Sequence, residues 1–267
     1  MKLVQHRLGF YEVHPKPTPE ELEAHYRDKY FAKGGATLTY AHEYTEEEVA
    51  HRYMEAAEAL HLAPEGGRTL LDVGCGEGFF LDHFQRQGWE VRGVDYTDEG
   101  LMNHFPGLRE RLVLADFYGY LEAAAARGER YDLVTCNNVL EHVIEPVELV
   151  RLLKGVVTPQ GVCRIVVPND GSWLQHEVVR RGYAEADFWL APPEHLNYFT
   201  VESLGACLRS QGWEVVELLT QFPIDLFLLD PDSNYMRDRA KGRPCHFARV
   251  AFEVSLFQRS PEALLEF

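Results

Sequence analysis

Several features are scarce in this 267-residue sequence, and each scarcity excludes a class of protein. Five cysteines, Cys75, Cys136, Cys163, Cys207 and Cys245, are scattered and form no CxxC pair, so neither a disulfide framework nor a zinc knuckle is expected. The twelve histidines contain no HExxH, and no metal site is expected. No apolar run approaches the roughly 20 residues that span a membrane. The opening MKLVQHRLGFYEVHP lacks the apolar stretch of a signal peptide, so the expectation is a soluble cytoplasmic protein. Positive charge is also short: 26 Lys and Arg against 42 Asp and Glu give −16. That sign repels phosphate backbones and anionic membranes, so neither a nucleic acid nor a membrane is an expected partner. No lysine occurs between Lys33 and Lys154, which removes a phosphate loop ending in Gly-Lys-Ser/Thr from the middle of the chain.

What remains is ordinary globular composition, 46% apolar and 25% charged, on a chain long enough for one large domain with appendages. Residues 1–45 are rich in Tyr, Pro and charge and read as a helical cap or lid. Within them Thr18-Pro19-Glu20-Glu21 starts a helix running to about Phe31, and Gly34-Gly35 breaks it. Thr45-Glu46-Glu47-Glu48 opens a second helix. From Arg68 onward short apolar runs (69–74, 90–95, 111–116, 131–137, 162–168) alternate with amphipathic stretches such as 79–88 and 146–156. That alternation predicts a doubly wound, Rossmann-like α/β fold with a mostly parallel sheet covered on both faces. The core is expected over 46–222, with a loop-like insert at 169–199. Thr200 should cap a helix ending near Gly212, and 213–221 should be a strand. Residues 223–267 form a C-terminal extension in which Val250, Phe252, Val254 and Leu256 alternate as in a strand while Phe247, Val250, Val254 and Phe257 fit a helix, the reading preferred here.

The chemistry concentrates at Asp72-Val73-Gly74-Cys75-Gly76-Glu77-Gly78, between a predicted strand and a predicted helix. Glycines let the chain turn sharply and lie against a ligand. Asp95 ends the next strand, 21 residues after Gly74, where a carboxylate can accept ribose hydroxyls. The third glycine of the dinucleotide fingerprint is displaced, because position 79 is Phe. Asp72, Glu77, Asp82 and Asp95 make the pocket acidic. A cationic ligand without phosphate, such as S-adenosylmethionine (SAM), fits such a pocket better than a pyrophosphate.

The stretches LLDVGCGEGFF (70–80), VRGVDYT (91–97), LADF (114–117) and YDLVTCNNVLEHVIEP (131–146) resemble, in order, four motifs of the class I SAM-dependent methyltransferases. The resemblance covers residues 68–168 and implies a seven-stranded sheet whose last strand is antiparallel. It also implies SAM as cofactor: Gly74, Cys75 and Gly76 against the methionyl part, Asp72 at its ammonium, Asp95 at the ribose and Tyr96 on the adenine. Asp116 and Phe117 would sit at the adenine edge, and Asn137 would offer its carbonyl near the methionyl chain. Residues 168–177 and 192–200 resemble small-molecule methyltransferases found among bacterial surface-polysaccharide and sugar-modifying enzymes. The implied reaction is methyl transfer to a hydroxyl or amine of a small polar acceptor, a nucleotide-linked sugar. The alternatives are a quinone or other aromatic hydroxyl, or a non-catalytic SAM-binding protein.

The proton that leaves the acceptor needs a base, and histidine titrates near the working pH. His195 is the candidate, with neighbouring Glu194 to raise its basicity, and His142 of Glu141-His142 is the reserve. Asn169, Gln175 and Tyr198 are candidates for contacts to the acceptor, as are the rings of Trp173, Trp189 and Tyr183. Tyr30, Tyr40 and Tyr44 are candidates for a lid.

Overall fold

The computed structural model describes residues 2–18, 20–22 and 44–265. Its centre is a five-stranded, all-parallel sheet in the order β5-β4-β3-β6-β7, built from β3 (Thr69–Val73), β4 (Glu90–Asp95), β5 (Leu112–Leu114), β6 (Tyr131–Asn137) and β7 (Val157–Val166). The order reverses between β3 and β4 on one side and β6 and β7 on the other. Ligands of open α/β sheets bind at such a switch, outside the carboxyl ends of the strands. Leu70, Leu71, Val73, Val94, Leu133, Val134 and Cys136 are buried, as continuous apolar strands covered on both faces require.

The covering helices obey their local chemistry. Helix Glu46–His61 starts at a capping box: the Thr45 side chain accepts from the Glu48 backbone, and the Glu48 side chain reaches back. Helix Pro146–Lys154 carries its proline in the first turn and buries Leu149, Val150, Leu152 and Leu153. Helix Val201–Ser210 is capped by Thr200 as expected, and Gly212 follows it at φ +75°. Residues 242–259 are helical, as read from the sequence. This helix meets Glu46–His61 through a buried pair, His51 Nε2 to Glu253 Oε2 at 2.8 Å. Glu253 Oε1 also accepts from Phe222 N at 2.7 Å.

Four expectations are corrected. Residues 213–221 form no strand: Val216 and Leu218 are 72% and 56% exposed, so their apolar pattern is not spent on a sheet face. Among the described residues the main sheet has five strands, two fewer than the resemblance implies, and none of them is antiparallel. The insert 169–199 is not loop throughout. Ser172 and Gln175 form a capping box that starts helix Trp173–Arg180. The chain also opens as a hairpin, β1 (Lys2–Gln5) against β2 (Tyr11–His14), turned at Gly9 with φ +95°. The helix start at Thr18 is present, its hydroxyl accepting from Glu21 N at 3.2 Å. The rest of that predicted helix, Tyr30 included, lies outside the described residues, as does Tyr40.

The hairpin matters because β2 pairs with β8 (Asn197–Tyr198) of the insert. Phe10 and Phe199 pack together, ring centres 4.8 Å apart, within the core on one face of the main sheet. That contact fixes the end of the insert over the carboxyl edge of β6 and β7.

Candidate active site

The glycine turn folds as its composition demands. Gly74, Gly76 and Gly78 have φ of +74°, +50° and +84°. A Cβ on Gly74 would lie 2.5 Å from Val139 Cγ2, so Val139, two residues beyond β6, presses directly on the turn. Asp95 closes the turn from β4. Its Oδ2 accepts from Gly76 N at 2.9 Å, and its Oδ1 accepts from Tyr96 N at 2.7 Å and Thr97 N at 3.3 Å. Burial raises the Asp95 carboxyl while these amides pull it down; the net direction is up. Cys75 is buried, and burial raises its thiol well above the ordinary range.

Asp72 sits one strand inward and is fully packed. Thr135 Oγ1 donates to its Oδ1 at 2.6 Å. Burial is the main cause that raises its carboxyl to about 7; the Asp95 charge adds, while the Thr135 bond and Arg164 oppose. Asp116 caps helix Phe117–Ala126, accepting from Gly119 N at 2.8 Å through Oδ2. Its Oδ1 accepts from the Tyr96 hydroxyl at 3.2 Å, and the Tyr96 and Phe117 rings lie 4.5 Å apart. Asn137 ends β6, and its Oδ1 accepts from Arg164 Nη1 at 2.6 Å. Arg164 also reaches Glu58 at 2.9 Å. Thus Asp72, the three glycines, Asp95, Tyr96, Asp116, Phe117 and Asn137 come together along the carboxyl edge of β3, β4, β5 and β6. Tyr44 joins them, its hydroxyl donating to Glu77 Oε1. Burial and Glu77 push that phenol up to about 12.

A second cluster stands at the ends of β6 and β7. The Glu141 carbonyl accepts from Leu196 N at 2.6 Å and Asn197 N at 3.1 Å, and Asn197 Nδ2 donates to the carbonyls of Leu140 and Val143. These bonds across more than fifty residues bring His195 to His142, rings 4.8 Å apart and nearly perpendicular. Glu194 enters through its carbonyl, which accepts from His142 Nδ1 at 2.8 Å. The His142 Nε2 lies 3.7 Å from Glu141 Oε1.

Two buried acids stand here: Glu141, which the sequence offered only in its pair with His142, and Asp170, which sequence reasoning missed. Glu141 is 1% exposed, and burial, reinforced by the Asp170 charge, raises its carboxyl to about 8. Asp170 follows β7, is also buried, and is raised to about 7 by burial and then by Asp225. Other candidates hold the insert together. Tyr198 is buried and donates its hydroxyl to the His195 carbonyl at 3.0 Å. Gln175 Oε1 accepts from Gly171 and Ser172 amides, and its Nε2 donates to Asp225. Asn169 forms a bridge with Phe199. Trp173 is 79% exposed, whereas Trp189 stands edge-on to His176.

Residues 40–218 match the model of a family described as "Methyltransferase domain", two thirds of the chain. The chain belongs to this family. As a methyltransferase it uses SAM as methyl donor, which agrees with the acidic, glycine-lined turn at the switch point. Among its relatives is the ubiquinone biosynthesis O-methyltransferase of Proteus mirabilis, 31% identical over 184 residues, covering 64% of this chain and 73% of the relative. The enzyme of the same name from Actinobacillus pleuropneumoniae is 27% identical over 174 residues, covering 58% and 73%. Among solved structures, a SAM-dependent methyltransferase from Archaeoglobus fulgidus aligns with a TM-score of 0.49 at 20% identity, covering 72% of this chain and 86% of that one. Among the described residues, no helix is long and apolar enough to cross a membrane.

Proposed function

We propose that this methyltransferase methylates a hydroxyl of a small polar acceptor bound between the glycine turn and the insert 169–199, with a nucleotide-linked sugar as the preferred class. The carrying observation is the Glu141–His142–His195 cluster, which follows the carboxyl end of β6, the strand paired with the one that carries Asp72. SAM's methyl carbon is already activated by the sulfonium. The protein therefore has to align the acceptor oxygen, exclude water and take charge of the leaving proton. Alignment alone can supply roughly 7–11 kcal/mol. In this reading Asp72 faces the ammonium of SAM, Asp95 its ribose, and Tyr96, Asp116 and Phe117 its adenine, while the turn glycines and Cys75 line the methionyl chain. The acceptor's proton leaves at the histidine cluster, where His195 is the member contributed by the insert, with Glu194 and His142 beside it. Tyr198 and Gln175 keep the insert in shape, and Asn169 stands at its base.

A second reading, an aromatic or quinone hydroxyl as acceptor, is favoured by the names of the bacterial relatives. Assaying methyl transfer from labelled SAM to nucleotide-sugars and, separately, to catechol-type aromatics decides between them. Turnover confined to the sugars supports the first reading. Turnover confined to the aromatics replaces it with the second.

A further inference from the structure

We propose that Glu141, His142 and His195 hold a divalent first-row transition-metal ion, with the acceptor's hydroxyl as a further ligand. The hydroxyl ligand rests on the methyl-transfer reading above; the metal site itself does not. Among the described residues this is the group whose donor atoms converge: one atom from each side chain lies within 4.8 Å of the others. Zinc bonded to imidazole and carboxylate at about 2.0–2.2 Å puts its ligands a little over 3 Å apart, so small side-chain rotations close the site.

Two further observations point the same way. Glu141 Oε2 is buried and has no hydrogen-bond partner, although its residue is only 1% exposed. A buried carboxylate oxygen left alone is costly, and a cation is what satisfies it. The orientation of His142 is also fixed by its neighbour. A carbonyl can only accept, so the Nδ1–H donates to the Glu194 carbonyl at 2.8 Å. In the neutral ring the lone pair then lies on Nε2, the atom 3.7 Å from Glu141 Oε1. A ring nitrogen that donates to a backbone carbonyl while its partner nitrogen turns to the ion is the usual outer arrangement of a metal-bound histidine.

Two imidazoles with one carboxylate suit zinc, cobalt, iron or nickel better than magnesium or calcium, which prefer all-oxygen shells. Three protein ligands leave positions open, as in catalytic rather than structural sites. His142 and His195 are both partly exposed, so the open side faces outward from Glu141. A hydroxyl bound there becomes more acidic. Its proton passes to solvent, the oxygen forms a bond to the methyl carbon, the carbon–sulfur bond breaks, and sulfur keeps that electron pair as a neutral thioether. His195 then acts as a ligand, and the ion takes over the acidifying role of a base.

The test uses the full-length, untagged protein, stripped with chelator and titrated with Co²⁺ while visible absorption is followed. One equivalent should bind with the ligand-field bands of a low-coordinate site. Glu141→Gln and, separately, His195→Ala should each weaken Co²⁺ binding tenfold or more. Circular dichroism and melting confirm that the variants are folded, and His195→Ala, at a partly exposed position, covers the case in which Glu141→Gln does not fold. Absence of stoichiometric binding by the wild type, or equal binding by a folded variant, overturns the proposal. SAM binding is measured on the same samples. SAM bound without Co²⁺ removes the metal site and leaves the methyl-transfer reading intact. Co²⁺ bound by the wild type and lost in the variants, without SAM binding, upholds the site and removes the reading.

Discussion

The Asp72 carboxyl gives a pH dependence whose sign and size both follow from the structure. Burial raises it from the ordinary 3.8 to about 7 in the folded protein. Between those two values the folded state holds a proton that the unfolded state has lost. Stability therefore falls as pH rises through this window, by about 1.4 kcal/mol per unit, and levels off above about pH 7. Over the whole window the loss is about 4 kcal/mol. Asp72→Asn keeps the oxygen that accepts from Thr135 and removes the ionisation. The variant should therefore gain on the wild type by about 3 kcal/mol between pH 5 and pH 8, readable in parallel urea unfolding curves. Saturating SAM, whose ammonium is proposed to face Asp72, should flatten the wild-type dependence and leave that of the variant unchanged. A constant difference between the two proteins across that range would refute the placement of Asp72 as a buried, proton-holding acid.

Three more outcomes are expected. Gly74→Ala introduces a Cβ 2.5 Å from Val139 Cγ2 at a φ of +74°, so it should lower stability by about 1–3 kcal/mol, and Val139→Ala should restore part of the loss in melting experiments. Asp95→Ala removes the acceptor of three backbone amides as well as the proposed ribose contact, so calorimetry should show SAM affinity reduced tenfold or more together with a lower melting temperature. His195→Gln should cut turnover by roughly 10²–10⁴-fold with SAM affinity unchanged, whether His195 takes the acceptor's proton itself or holds the ion that acidifies the acceptor; near-normal turnover would remove it from both roles.

How far the sequence could be read depended on the range of the interactions. Strands 69–73, 90–95 and 131–137, and the glycine turn between the first strand and its helix, were legible because they are set by neighbouring residues: apolar runs, turn glycines and caps. The strand expected at 213–221 failed because an apolar run does not state whether a sheet edge will receive it, and Val216 and Leu218 stay exposed. Helix Trp173–Arg180 was legible in principle, since Ser172 and Gln175 stand at capping-box spacing. Gly93 gave no signal of its own. A Cβ there would come 2.8 Å from Cys75 Sγ, so its bareness lets β4 receive the turn. The Glu141–His142–His195 cluster depends on bonds from the 139–143 segment to residues 194–197, and no local pattern encodes these. His142 and His195 were each legible as chemistry, but their meeting, and the burial of Glu141, were not.

The acidic glycine turn should take SAM and not a dinucleotide. Calorimetric titration of the wild-type protein with SAM and with NAD tests it directly. One equivalent of SAM should bind in the micromolar range, with binding lost or strongly weakened in Asp95→Ala, and NAD should give no heat of binding. NAD bound stoichiometrically with no binding of SAM would contradict it.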